Sequence, residues 1–483
     1  MQKGCCMAVL AIAFAAVTPP FITQLKSDAF SEEKTPGISA SSLYVNFTES
    51  QKSTAVAAGE QTEIAARVRQ EFLHAWNGYK QYAWGHDELK PLSKSYRDWY
   101  GASLYMTPVD SLDTMIVMGL NDEAEKTREF ITKNLSFDQD ISVKNFEITI
   151  RMLGGLLSSY QLTGDKRLLA LAEDLGNRLL PVFDSPTGMP YVNVNLRTGA
   201  VSGEETNPAE IGTLLVEFGT LSKLVGKPTY YGKAKRALVE LYNRRSPIGL
   251  VGSGINIRTG AWTDETSHIG GGIDSYYEYL LKGWLLFGDK DCERMWKSSI
   301  KALNQYLADD ASTGFWYGEA NMNSGKRAGT NFGALEAFFP GELALSGDID
   351  RAKRLEESCY KMWTKWGIEP EALNYSNMKI VERGYALRPE IIESAYYLYH
   401  FTKDARYLDM GQTFFNSLVK YCRTDAGYAA LSDVEKKTKA DRMESFFLAE
   451  TLKYLYLLFA QPDALDLTKM VFNTEAHPIT KAW

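Results

Sequence analysis

The sequence predicts an all-α protein, an (α/α)7 barrel in which seven helical hairpins close into a toroid. Three observations carry this. Apolar helical stretches alternate with a recurring turn built on Gly and Asp. The turns return at a near-constant spacing, the signature of a repeat architecture. Each turn is also preceded by an acidic residue near the start of a strongly apolar helix.

The turns come in the order "GLND" at Asn121-Asp122, "LTGD" at Gly164-Asp165, "LVGK" at Gly226-Lys227 and "LFGD" at Gly288-Asp289. They continue with "LSGD" at Gly347-Asp348, "FTKD" at Lys403-Asp404 and "AQPD" at Pro462-Asp463. Gly accepts the left-handed conformation that ends a helix, and Asp caps the helix that follows. From Asp165 onward the spacing is roughly 56 to 62 residues, room for two helices and their loops. One helix of each pair is much the more apolar, as in "DSYYEYLLKGWLLF". A closed ring explains that asymmetry, with inner helices covered on all sides and outer helices facing water. Regular structure is expected to begin near Ile64, where Ile64, Val68, Phe72, Trp76 and Tyr79 recur at helical spacing.

The acids upstream of the turns are Asp110, Glu147, Glu210, Asp274, Glu336, Glu390 and Glu450. Equivalent positions in a toroid share one rim, so the expectation is a ring of carboxylates at one end of the barrel axis. The helix dipole favours an acid at any helix start. It does not explain acids set in "NFEITI" or "FFLAETLKYLYLLF", where water has little access. Crowded carboxylates repel, so some hold their protons and others need cations. Such a cluster serves acid/base chemistry at a glycosidic bond, the binding of a hard cation such as Ca²⁺, or both. Arg151 follows Glu147 by four residues on one helix face. Arg388 precedes Glu390, with Pro389 fixing the first helical turn. Glu390 and Glu393 face the same way, toward the axis.

Composition narrows the rest. The 483 residues are 45% hydrophobic, enough for a large core, and the net charge of −7 argues against nucleic acid as a partner. The start, "MQKGCCMAVLAIAFAAVTPPF", fits a signal peptide over 1–25: Lys3 precedes an apolar run too short to span a bilayer. A polar, Ser-rich leader over 26–60 follows, then a catalytic domain over 61–483. No later apolar run is long enough for a stable membrane span, so an exported, soluble protein is expected, as a monomer. Beyond the signal segment only Cys292, Cys359 and Cys422 remain, which excludes a disulfide scaffold. Asn46, Asn134 and Asn374 stand in glycosylation sequons. His74, His86, His268, His400 and His477 show no zinc spacing, and neither a phosphate loop nor a Gly-x-Ser-x-Gly elbow stands out.

The motifs together resemble one family, the class I α-1,2-mannosidases of glycoside hydrolase family 47. The resemblance runs from about Ala65 to His477 through "HAWNGYKQYAWGHDELKPLSK", "DSLDTMIVMGL", "NFEITIRMLGGLLSSYQLTGD", "IDSYYEYLLKGW", "FFPGELAL", "LRPEIIESAYYLY", "MESFFLAETLKYLYLLF" and "VFNTEAHP". It implies an (α/α)7 barrel plugged by a C-terminal β-hairpin. It also implies an inverting exo-glycosidase that removes terminal α-1,2-linked mannose from oligosaccharides or N-glycans, with Ca²⁺ at the base of its pocket. By motif, Glu147 resembles the general acid, Asp274 the other candidate acid, and Glu390 the general base. Thr474 resembles the direct protein ligand to calcium, through its hydroxyl and carbonyl oxygens. Glu393, Glu450 and Glu475 would hold calcium-bound waters or sugar hydroxyls, Phe446 would stack on the sugar, and Arg151 and Arg388 would orient acids or substrate.

Departures bear on specificity. Many members join the cysteine of "ESCYKM" to a partner upstream of "FLPG"; here Cys359 is present but Ala337 takes the partner position, so no bridge is expected. Ala334 stands where many have His, and Gly272 stands where members of the endoplasmic-reticulum type place Arg. The "GGGIDSYYEY" and "AFFPG" forms are closer to the ER-degradation mannosidase-like branch and bacterial relatives. Two other readings compete: a mannose-glycan lectin that kept the fold without turnover, and a toroidal glycosidase for another sugar.

Overall fold

The structure, a computed structural model, describes residues 58–461 and 464–481. The expected signal peptide, nearly all of the leader, the Asn46 sequon and the Pro462-Asp463 turn lie outside the described residues. Six pairs of antiparallel helices follow one another along the chain. The inner members are Met106–Val117, Gly154–Thr163, Leu215–Val225, Asp274–Phe287, Phe339–Leu345 and Glu390–Thr402. Their outer partners are Asn121–Asn134, Lys166–Leu179, Pro228–Asn243, Lys290–Tyr306, Ile349–Trp366 and Arg406–Tyr421.

The turn chemistry works as expected at several of these junctions. Gly164, Gly226 and Gly288 end inner helices with φ of 74°, 70° and 67°. Asp165, Asp289 and Asp348 cap the next helices by accepting from Arg167 N, Cys292 N and Arg351 N. Leu120, ahead of Asn121, caps nothing with its side chain.

The seventh pair differs from a hairpin. Its inner helix, Leu452–Phe459, packs against the first helix of the chain, Ala58–Tyr82. That first helix starts six residues before the expected Ile64, inside the segment read as leader. It buries Ile64, Val68, Phe72, Trp76 and Tyr79 completely or nearly so, and the burial of such side chains at about 1.5–3 kcal/mol each is what seals the ring. The two ends of the domain thus close the barrel.

Inner and outer helices differ in burial as the ring requires. Asp274–Phe287 is buried on nearly every side, including Glu278 and Lys282, whereas Lys290–Tyr306 buries one stripe and exposes the rest. Short antiparallel strands occupy the links from each outer helix to the next inner one, as in the sheet Asn331–Gly333, Ala372–Asn374, Lys379–Glu382. A C-terminal hairpin, Met470–Phe472 paired with Pro478–Thr480 in the register Phe472↔Pro478, inserts among the inner helices. Phe472 and Ile479 are fully buried. Among the described residues Cys292, Cys359 and Cys422 are buried and free, and no helix is long and apolar enough to cross a membrane.

Candidate active site

The starts of the inner helices and the tip of the C-terminal hairpin surround one cavity of about 310 Å³. All ten residues singled out from the sequence line it: Glu147, Arg151, Asp274, Arg388, Glu390, Glu393, Phe446, Glu450, Thr474 and Glu475. Of the seven ring acids, Glu147, Glu210, Asp274, Glu390 and Glu450 reach the cavity, and Asp110 and Glu336 do not. Asp110 lies a turn deeper in its helix, fully buried behind Arg151. Glu336 sits on a 3₁₀ turn ahead of its helix and accepts from Gly333 N at 3.0 Å.

Local backbone explains how the wall is built. Two inner helices begin with a π turn, Thr149–Leu153 and Phe447–Thr451. A π turn adds a residue and frees backbone groups, a feature frequent at functional sites. The first carries Arg151 and leaves the Ile150 carbonyl to accept from Asn473 Nδ2 at 2.9 Å. The second carries Glu450 just after Phe446. Two buried non-glycine residues are left-handed at the site, Leu387 with φ 65° and Ala476 with φ 56°. Such conformations cost about 1–3 kcal/mol and persist where the surroundings hold them. Here the seventh inner helix holds both: the Thr451 hydroxyl donates to the Leu387 carbonyl at 2.7 Å, and Lys453 Nζ to the Ala476 carbonyl at 2.7 Å.

On one wall, Arg151 Nε donates to Glu147 Oε2 at 3.2 Å, and Nη1 pairs with Glu475 and lies 3.7 Å from Asp110. Burial opposes this guanidinium's charge, but Glu475, Glu147 and Asp110 outweigh it and hold it protonated. On another wall, Arg388 reaches Glu371 Oε2 with Nε and Nη2 at 3.0 and 2.9 Å. The Phe446 ring lies within 5.7 Å of the Arg151 guanidinium and 5.6 Å of that of Arg388.

The carboxylates are short of positive charge. Burial pushes Glu390 up to about 8, against the pull of Arg388. Burial and then the Glu278 charge push Asp274 up to about 7. Glu393 rises to about 7 through burial despite Lys282, and Tyr454 donates to its Oε1 at 3.0 Å. Burial and the Glu475 charge raise Glu450 far above the carboxylate range. Sequence reading missed Glu278 and Lys282, which ion-pair inside the barrel beside the cavity. Their spacing of four and eight from Asp274 was the signal, since it keeps them on one helix face. It also missed Glu371, the partner of Arg388, and the Lys144–Glu210 ion pair of 2.6 Å on the cavity wall.

Comparison with known proteins fits this geometry. The glycosyl hydrolase family 47 model matches residues 71–481. The chain belongs to glycosyl hydrolase family 47. It is therefore a glycoside hydrolase. Among family relatives, α-mannosidase I MNS5 of Arabidopsis thaliana is 40% identical over 447 residues, covering 86% of this chain and 77% of that protein. The ER degradation-enhancing α-mannosidase-like protein 2 of Mus musculus is 40% identical over 451 residues, covering 86% and 77%. The solved α-1,2-mannosidase from Trichoderma reesei superposes with a TM-score of 0.81 at 30% identity, covering 87% of this chain and 99% of that one. Its fold agrees with the (α/α)7 barrel described above.

Proposed function

We propose that this family 47 hydrolase is an exo-α-1,2-mannosidase that trims terminal mannose from mannose-rich oligosaccharides or N-glycans, with inversion and with calcium in its site. The observation that carries the reading is the convergence of ten motif residues, spread from 147 to 475, on one cavity. The relatives support the sugar and the linkage, the Trichoderma enzyme above all. Relatives named for the endoplasmic reticulum support an exported protein acting in a lumen or outside the cell.

Acid and base come from different inner elements, as inversion requires if a water is to stand between them. Asp274, pushed up to about 7 by burial, keeps a proton to donate in mildly acidic solution. Glu147, tied to Arg151, serves as the alternative acid through a water. Glu390 is the base; it must be ionised to act, and Arg388 is the protein's contribution to that.

The residues present suit a hydrated hard cation. Among the described residues no three Asp, Glu, His or Cys side chains cluster closely enough to ligate an ion directly. The donors near the hairpin tip are instead the Thr474 hydroxyl and carbonyl, ringed by Glu393, Glu450 and Glu475, whose charge Arg151 and Lys282 only partly offset. Bound calcium supplies the missing positive charge and oxygen coordination for sugar hydroxyls.

The test is α-1,2-mannobiose with and without EDTA, followed by NMR. Release of β-mannose that EDTA abolishes and Ca²⁺ restores is the expected result. Glu390→Gln should lower kcat by about 10²–10⁴-fold. Binding without release, an α-mannose product, or wild-type activity in E390Q would overturn the reading.

A further inference from the structure

We propose that His477 is a positioning residue for the acid side of this site: with Asp113 and Asp110 it fixes the turn that presents Thr474 and Glu475 and thereby sets the place of Arg151. The proposal rests on the reading of Glu147, Arg151 and Glu475 as part of the catalytic pocket.

His477 is fully buried and does not line the cavity. Its Nδ1 meets Asp113 Oδ2 at 2.7 Å, a hydrogen-bonded ion pair, and its Nε2 lies 3.5 Å from Asp110 Oδ1 at ion-pair distance. Both aspartates come from the helix Met106–Val117, one turn apart. The other oxygen of Asp110 accepts from the Ser445 hydroxyl and lies 3.7 Å from Arg151 Nη1. Lys453, from the seventh inner helix, completes the ring: its Nζ pairs with Asp113 Oδ1 at 2.8 Å and donates to the Ala476 carbonyl. Glu217, from the third inner helix, and Glu475, on the turn itself, are the other charges facing this group.

The turn is fastened at both ends. Asn473 Oδ1 accepts from Glu475 N at 2.9 Å and from His477 N at 2.8 Å, while its Nδ2 donates to the Ile150 carbonyl and to Glu217. Space for the imidazole is made by two consecutive glycines. A Cβ on Gly154 would stand 3.0 Å from His477 Cδ2, and one on Gly155 would stand 3.2 Å from His477 Cε1. Both follow the π turn that holds Arg151. One side chain therefore links the base of the hairpin tip to the helix that carries Glu147 and Arg151. Burial works against the imidazolium, but the Asp113 charge, the hydrogen bond to Asp113 and the nearby Asp110 carboxylate push it up to about 9. The two aspartates thus favour the charged form of the ring.

His477→Gln and Asp113→Asn, made in the full chain, test this through kcat, KM and pH profile on α-1,2-mannobiose, with melting curves alongside. Groups that orient ligands and reacting residues typically cost about 10- to 100-fold when removed. H477Q should lower kcat by that factor with KM changed less than about threefold, and should displace the pH profile, because Asp110 then has Arg151 as its one charged partner. D113N should shift the same quantities in the same direction by less. A folded H477Q with wild-type kcat and pH profile overturns the proposal, as does a loss that disappears when the assay is run well below the melting point. If H477Q does not fold, a folded D113N with unchanged kcat and profile is equally decisive against it. E390Q separates the two levels: if it stays active, the site reading fails; if it is dead while the His477 variants are normal, this proposal alone fails.

Discussion

The Arg151 wall and the Arg388 wall use one device, a guanidinium beside a carboxylate, with different completeness. Arg151 has Glu147, Glu475 and Asp110 around it, and His477, Asp113 and Lys453 carry the alternation of charge onward to the opposite side of the hairpin. Among the described residues Arg388 ion-pairs with Glu371 alone, with the Glu390 charge nearby. Behind it lie Glu369 and Glu356, fully buried, with no hydrogen-bond partner on any of their four carboxylate oxygens among the described residues. The first wall is a closed charge network. The second is acid-rich, and Glu390 stands in it with a pKa of about 8. The difference teaches that the two halves of the site are prepared differently: one fixes geometry, while the other keeps a carboxylate poorly solvated and therefore responsive to any positive charge brought near.

The largest expected effect comes from deleting the two arginines in turn. Arg151→Met strands two buried carboxylates, Asp110 and Glu475, together with the partly exposed Glu147, and should cost about 3–5 kcal/mol of stability. Arg388→Met frees the partly exposed Glu371, removes the guanidinium that pulls on Glu390, and should cost less, about 1 kcal/mol. Urea unfolding measures both, and equal losses would erase the contrast between the walls.

The next effect is a pH dependence. The folded pKa of His477, about 9, lies above its ordinary 6.5. Its stabilisation is therefore fully present below pH 6.5 and is lost as pH rises through 9, a difference on the order of 3 kcal/mol. Raised acids such as Glu390 and Asp274 contribute their own losses from about pH 4 to 8. Comparing wild type with H477Q across pH 6.5 to 9 isolates the imidazole; parallel curves would contradict its charge.

The smallest effect is a gain. Glu356 is buried, does not line the cavity and has no hydrogen-bond partner among the described residues, so Glu356→Met should stabilise by about 1 kcal/mol with kcat unchanged. A lower melting temperature would mean that the carboxyl has a use in the fold.

Much of the acid ring was legible because the repeat puts one acid at each apolar helix start, and position in a repeat maps onto position around an axis. Asp110 and Glu336 broke the rule through local detail, a turn too deep and a 3₁₀ lead-in. The π turns were not legible, since a single inserted residue leaves the apolar periodicity almost intact. Glu371 and the His477 network were hidden for another reason: their partners lie 17 and more than 360 residues away in the chain. The outer helix of the seventh pair was invisible from its turn because it comes from the opposite end of the domain.

That last feature has a consequence in time. Ribosomes add about 5–20 residues per second, so the helix Ala58–Tyr82 emerges roughly 20 to 75 seconds before Leu452–Phe459 exists to receive it. Throughout that interval its stripe of Val68, Phe72, Trp76 and Tyr79 is a sticky orphan, and a nascent chain of this protein is a natural client for whatever chaperone guards the exit.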